Sequence, residues 1–181
     1  MKKPNNIILI IQTILFLIGA ITAIIMFKRL FDGSPDILTI LNSIIHIGVY
    51  LFIIIYASFN YNKDDLHFRL CVYAYAALLG IEILYSGNML KDMGLSEMNT
   101  LIVNTCNLIA FANVIKFVDI LDNKKVALIY LSISNILKLL VELYLIISMI
   151  NFVQAIHILT ALSVPILGFT ILIAYMHRFG N

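Results

Sequence analysis

Charge is scarce in this sequence. Lysine, arginine, aspartate and glutamate make up 12% of its 181 residues against 62% hydrophobic residues, and the mean hydropathy is +1.01. An ordinary soluble domain carries roughly 25% charged and about 45–50% apolar residues, so this balance excludes one and points to an integral membrane protein whose first partner is the lipid bilayer. The formal charge of +2 comes from basic residues scattered where loops are expected. No basic stripe follows from them, which excludes a nucleic-acid partner. Tryptophan is absent. The aromatic belt at a membrane surface then falls to the nine tyrosines, which lie mostly toward the ends of the apolar runs.

Cysteine is also scarce, and Cys71 and Cys106 belong to no Cys-x-x-Cys pair. Placed on the spans derived below, they differ in depth by roughly 15 to 20 Å at 1.5 Å per residue. A disulfide needs Cα atoms within about 7 Å, so neither a disulfide nor a redox site is expected. The motifs of hydrolytic and transfer chemistry are missing: there is no nucleophile elbow, no phosphate-cradling glycine loop and no zinc-protease helix. His67 beside Cys71 is the one local coincidence of a base and a nucleophile, the only opening for an interfacial hydrolase in a chain otherwise read as non-enzymatic. His46, His67, His157 and His177 show no His-x-x-x-His spacing, so no metal and no cofactor are expected.

What the chain does have is long apolar runs. A bilayer-spanning helix needs about 20 mostly apolar residues, and runs of that length occur at about 6–27, 36–59, 70–90, 100–118, 126–149 and 152–176. This is the pattern of an all-α bundle of six transmembrane helices with short loops, forming one domain over 1–181. Polar breaks at "KRLFDGSPD" (28–36), "NYNKDDLHFR" (60–69) and "LDNKKV" (121–126) separate most of the runs. Ser34, Pro35 and Asp36 read as a cap, a first-turn proline and an acid facing the helix dipole. The fifth and sixth runs meet at the apolar "SMINFVQ" (148–154), where a tight hairpin is expected because one helix over 126–176 is far longer than a bilayer is thick. Lys2 and Lys3 precede an apolar core as in a signal peptide, but a run of about 21 residues exceeds the usual h-region and is read as an uncleaved first span.

Orientation follows from the basic residues. With the N-terminus inside, Lys2, Lys3, Lys63, Arg69, Lys116, Lys124, Lys125 and Arg178 are cytoplasmic, and Lys28, Arg29 and Lys91 are outside. That asymmetry places both termini in the cytoplasm. Isoleucine- and asparagine-rich usage without disulfides fits a microbial cytoplasmic membrane.

The question the runs raise is posed by "SNILKLLVELY" (134–144), which sets Lys138 and Glu142 inside an apolar span. Charge at a helix centre costs about 2.5 to 3.5 kcal/mol on insertion scales, so such groups face the bundle interior and pair. At i and i+4 the two can meet each other. Glu82 lies 12 residues into the third span and Lys138 lies 12 residues into the fifth, which puts them at one depth. His46 and Asn107, on spans that run the other way, come within a turn or two of that level. Glu142 sits one turn further out, with His157 of the sixth span close to it. Polar residues recur at helical spacing as Thr39, Asn42, His46 and Tyr50, as Asn104 and Asn107, as Asn135, Lys138 and Glu142, and as Gln154 and His157. The first span, with Gln12, Thr13 and Thr22, is mainly a lipid-facing element.

Candidate binding residues are therefore Glu82, Lys138, Glu142, His157, His46 and Asn107. One reading is a neutralised pair that fixes helix register, and buried pairs of that kind often add nothing net to stability. The other is a site near the midplane for an ion, a proton or a small polar molecule. The asparagines at 104, 107 and 113 suit either a pore lining or interhelical hydrogen bonds, and Ala76 and Gly80 form a small-xxx-small face that admits a close helix neighbour.

The stretch "LLGIEILYSGN" (78–88) resembles the glutamate-bearing helix of the small membrane subunits of proton-pumping NADH dehydrogenases and of multi-subunit cation/proton antiporters. The resemblance covers eleven residues. Those subunits have three helices, and the dehydrogenase type carries a second glutamate on its next helix, where this chain has asparagines and no acid. No role is carried across. Two functional classes stay open: a small transporter or channel-like protein, and a non-catalytic receptor, sensor or assembly subunit that works through further copies of itself or other membrane subunits.

Overall fold

The computed structural model describes residues 6–29, 37–59, 65–92, 95–148 and 162–179, and among them the fold is all-α, with six helices and no strand. They are α1 (Asn6–Arg29), α2 (Ile37–Phe59), α3 (Asp65–Asp92), α4 (Glu97–Asp119), α5 (Lys124–Ser148) and α6 (Ser163–Phe179). Each expected run contributes one helix. The boundaries differ where polar residues cap or extend a helix beyond its apolar stretch.

Helix α3 starts at Asp65 rather than near 70 because the end of the polar break carries Phe68 into the core. Phe68 packs against Tyr175 and Phe117 with ring centroids 5.8 and 6.4 Å away, and Phe117 meets Tyr175 edge-on at 5.0 Å. Helix α4 starts at Glu97 because Ser96 caps it, its hydroxyl accepting the Asn99 N–H at 3.3 Å, and Glu97 sits in the first turn where the helix dipole favours an acid. The same helix ends in a tight turn at 120–123, where the Asn123 N–H reaches the Ile120 carbonyl at 2.9 Å and the Ala127 N–H returns to Asn123 at 2.9 Å. This turn makes α4 and α5 an antiparallel hairpin, the most extensively packed pair in the fold. Helix α6 starts at Ser163, later than the expected 152, and the hairpin expected at 148–154 lies outside the described residues.

Successive helices pack side by side, and α6 closes the circuit against α1 and α5 while also touching α2 and α3. It is the central helix, and of its described side chains only Met176 is exposed. At the periphery, α1 touches only α2 and α6 and turns Ile7, Ile10, Ile14, Leu17, Ile21 and Ile24 outward.

Most buried residues are apolar, but several polar side chains join them while many aliphatic ones lie outside. Gln12, Thr22, Asn107, Ser134, Asn135, Lys138, Glu142 and Thr170 are buried, whereas Leu101, Leu108, Ile129, Ile136, Leu140 and Ile147 are among many exposed aliphatic side chains. Water-soluble folds bury aliphatics and expose charge. Two helices, α4 and α5, are long and apolar enough to cross a membrane, with mean hydropathies of 1.7 and 1.8, while Leu9–Ile25, Ile44–Tyr56 and Ser163–His177 are shorter apolar stretches. The expectation of six spans is thus met by length and hydropathy in two helices, and these point to membrane association.

The tyrosines depart from the expected belt. Tyr50, Tyr75 and Tyr175 are fully buried, because a tyrosine is tolerated in a core where its hydroxyl finds a partner. Tyr75 donates to Asn135 Oδ1 at 3.4 Å and Tyr175 to the Leu121 carbonyl at 3.1 Å. The Tyr50 hydroxyl lies beside Thr22 and over Gly19.

Candidate functional site

Halfway along α5 the residues Ser134, Asn135, Lys138, Val141 and Glu142 all face inward. Their spacing of three and four sets them on one stripe, pointing at α3, α4 and α6. The Lys138 side chain is 2% exposed, and its Nζ lies 2.6 Å from Glu142 Oε1 on the next turn and 2.6 Å from Glu82 Oε2 on α3. It also donates to Asn107 Oδ1 on α4 at 3.4 Å. An ammonium has three N–H donors. Here three oxygens from three helices surround them, the two carboxylates as ion pairs at 2.6 Å and the Asn107 amide oxygen as a hydrogen-bond acceptor.

Just below this cluster lies a neutral polar layer. Asn135, one turn before Lys138, accepts from Tyr75 of α3, and Ser134 donates to the Ala110 carbonyl of α4 at 2.8 Å. Gly168 of α6 lies against both partners of the first bond. A Cβ at 168 collides with Asn135 Oδ1 and comes within 2.5 Å of the Tyr75 hydroxyl. The absent side chain is what lets α6 sit at this depth. On α3, Gly80 plays a milder version of the same part, with room for ordinary contact to the Phe111 ring of α4.

His46 completes the surroundings from α2. Its Nε2 is buried with no hydrogen-bond partner. It also lines a pocket of about 60 Å³ between α2 and α3, whose other walls are Ile45, Val49, Ala74, Ala77, Leu78 and Ile81.

The electrostatics of the cluster are unbalanced. Among the described residues, one ammonium faces two carboxylates, a formal charge of −1, with Glu142 10% and Glu82 26% exposed at the side chain. An uncompensated charge away from water costs several kcal/mol per ion even after relaxation.

Of the six residues expected at the site, Glu82, Asn107 and Glu142 meet the Lys138 ammonium, and His46 lines the pocket between α2 and α3. His157 and Gln154 lie outside the described residues, as do the side chains of Thr39, Asn42 and His67. Asn113 donates to the Ile109 carbonyl of its own helix at 2.7 Å, so it faces no pore. Cys71 and Cys106 are free thiols. Among the described residues, no three His, Cys, Asp or Glu side chains converge as a metal set. Sequence reasoning missed Tyr75 and Gly168. Tyr75 was assigned to the aromatic belt, though it stands two helical turns from Glu82 and shares its face; Gly168 gave no signal, since glycine is frequent in apolar helices. No known family matches the chain, and comparison with curated proteins and with solved structures gave no match.

Proposed function

We propose that the chain is a six-span integral membrane protein, both termini cytoplasmic, in which Glu82, Lys138 and Glu142 form a transporter-like site for one exchangeable positive charge. The observation that carries this reading is the charge count: one buried ammonium between two carboxylates. A staple that only fixes register needs one acid for one base. The second acid, on a different helix, makes the site's occupancy conditional on a proton or a small monovalent cation. Ionisable groups inside a membrane most often mark such pathways. Support for the bilayer setting comes from the many exposed aliphatic side chains and from α4 and α5.

The packing limits the size of the cargo. Lys138 is enclosed, and the pocket between α2 and α3 measures about 60 Å³, whereas sites for drug-sized ligands run to about 300–1,000 Å³. A sugar or an amino acid does not fit this conformation. The test is reconstitution of the purified protein into vesicles with a lumenal pH dye and a sodium or potassium indicator, under an imposed membrane potential. Wild type is expected to pass protons or one of the cations faster than empty vesicles, and Glu142→Gln to return the rate to background. Equal rates in all three vesicle types count against the reading.

The same close packing favours a second reading, that of a non-catalytic subunit whose polar layer orders the bundle while its aliphatic faces meet other membrane proteins. On that reading the vesicles stay tight, and the protein is recovered from its native membrane in a stable complex.

A further inference from the structure

We infer that the Glu82, Lys138 and Glu142 site opens to one end of the bundle only. Its exchangeable cation enters past Thr100, where α3 ends and α4 begins, and the way to the α4–α5 turn is sealed at Tyr75, Asn135 and Gly168. The inference rests on the reading above and adds a direction to it.

The seal has two layers. One turn from Lys138, Tyr75 of α3 donates to Asn135 Oδ1 of α5 at 3.4 Å, and both residues are fully buried. Gly168 of α6 lies so close to this bond that a Cβ there collides with it. Nearer the α4–α5 turn, the rings of Phe68, Phe117 and Tyr175 close α3, α4 and α6 together with centroids 5.0 to 6.4 Å apart. The Tyr175 hydroxyl donates to the Leu121 carbonyl at 3.1 Å and ties α6 to that turn. A close-packed interior of this kind has no room for water. An ion that entered it would lose its hydration without replacement.

Toward the other end the packing loosens and turns polar. The side chain of Lys138 is 2% exposed, that of Glu142 on the next turn 10%, and that of Glu82 26%. Val103 and Val141 are buried there, but Leu95, Cys106 and Leu145, which pack against them, are only partly so. On α4, Thr100, Asn104 and Asn107 recur at i, i+4 and i+7 and share one face. That polar face ends at the Lys138 ammonium, to which Asn107 is bonded. Past Asn107 the buried residues of α4 are Ala110, Val114, Phe117 and Val118, all apolar.

Thr100 is the hydroxyl that breaks a pattern. Thr13, Thr22, Thr105 and Thr170 each donate to the carbonyl four residues back in their own helix, at 2.8 or 2.9 Å. Thr100 is 5% exposed, yet among the described residues its Oγ1 has no hydrogen-bond partner. A buried polar atom is left so at a cost unless water or an ion reaches it. A hydroxyl oxygen serves both, since it offers two lone pairs without carrying charge.

The two native thiols stand on opposite sides of this divide. Cys106 is partly buried beside Asn107, at the level of the site, while Cys71, one turn from Tyr75, is 0% exposed on the sealed side.

The experiment labels thiols in the wild-type protein and in Thr100→Cys, both reconstituted in sealed vesicles. Two methanethiosulfonates of similar size that do not cross a bilayer are compared, one bearing a trimethylammonium and one a sulfonate, and mass spectrometry reads which thiol is modified. Cys106 and the thiol of Thr100→Cys are expected to react about tenfold or more faster with the cationic reagent, because a cleft of one charge concentrates the opposite ion. Cys71 is expected to stay unmodified with reagent on both sides of the membrane. If Thr100→Cys does not fold, Cys106 of the wild type carries the test. Modification of Cys71 at the rate of Cys106 in the folded protein overturns the seal. Unreactive thiols at both 100 and 106, or equal rates with the two reagents, overturn the entrance. Wild-type cation flux in the same vesicles is read separately: flux with an overturned entrance or seal leaves the site reading in place, and tight vesicles remove both.

Discussion

Lys138 of α5 and Glu82 of α3 form an ion pair of 2.6 Å between helices that do not follow one another in the chain. Glu142 takes up the same ammonium at the same distance from within α5. The lysine is therefore a shared counter-ion, and removing it affects two acids at once. We expect Lys138→Met to destabilise the fold by about 3–5 kcal/mol, the usual penalty for stranding a buried charge. Adding Glu82→Gln and Glu142→Gln to that variant is expected to restore most of the loss. Reversible unfolding in mixed micelles measures both.

Asn107 makes the third and longest bond to that ammonium, at 3.4 Å. Hydrogen bonds between membrane helices average about 0.6 kcal/mol, so Asn107→Ala should cost under about 1 kcal/mol in the same unfolding assay. A loss as large as that of Lys138→Met means that Asn107 has a larger part than its geometry indicates.

Gly168 has no space for a side chain. Gly168→Ala drives a methyl into Asn135 Oδ1 and the Tyr75 hydroxyl, and both are buried and bonded to each other. Overpacking of this kind costs about 1–3 kcal/mol. The double variant Gly168→Ala/Asn135→Ala is expected to be more stable than Gly168→Ala alone, because the second change removes the atom that collides.

Leu140 tests the bilayer directly. It is 56% exposed, on the outer face of α5 two residues past Lys138. If that face meets lipid, Leu140→Lys costs about 2.5–3.5 kcal/mol in a translocon insertion assay of the α5 segment. A face open to water accepts the lysine with a change within about 0.5 kcal/mol of stability.

Much of this arrangement was legible in the sequence, for a reason that the individual residues make plain. The apolar runs are long and their polar breaks abrupt, so one helix per run followed directly. Given two helices running the same way, equal distance from the helix start means equal depth, and that alone brought Glu82 to the level of Lys138. Depth says nothing about azimuth, so Asn107 was placed by level and only the fold shows it reaching the Lys138 ammonium. Tyr75 was misjudged because a tyrosine near a helix end reads as interfacial whether its hydroxyl meets water or Asn135. Gly168 was silent because what matters there is the side chain of another helix. The capping at Ser96 had a readable signal, a serine followed at once by an acid, but the apolar criterion began the helix later.

The most direct measurement of the central claim is ion flux and unfolding free energy on one variant, Glu82→Gln/Lys138→Met/Glu142→Gln, reconstituted in the vesicles used for wild type. It removes every formal charge of the cluster and leaves its shape. The account predicts stability within about 1 kcal/mol of wild type, since a buried ionic group replaced by neutral residues of similar size is often no less stable, together with flux at the level of empty vesicles. Wild-type flux through the uncharged variant would contradict the account, because the charge would then pass by some route other than Glu82, Lys138 and Glu142.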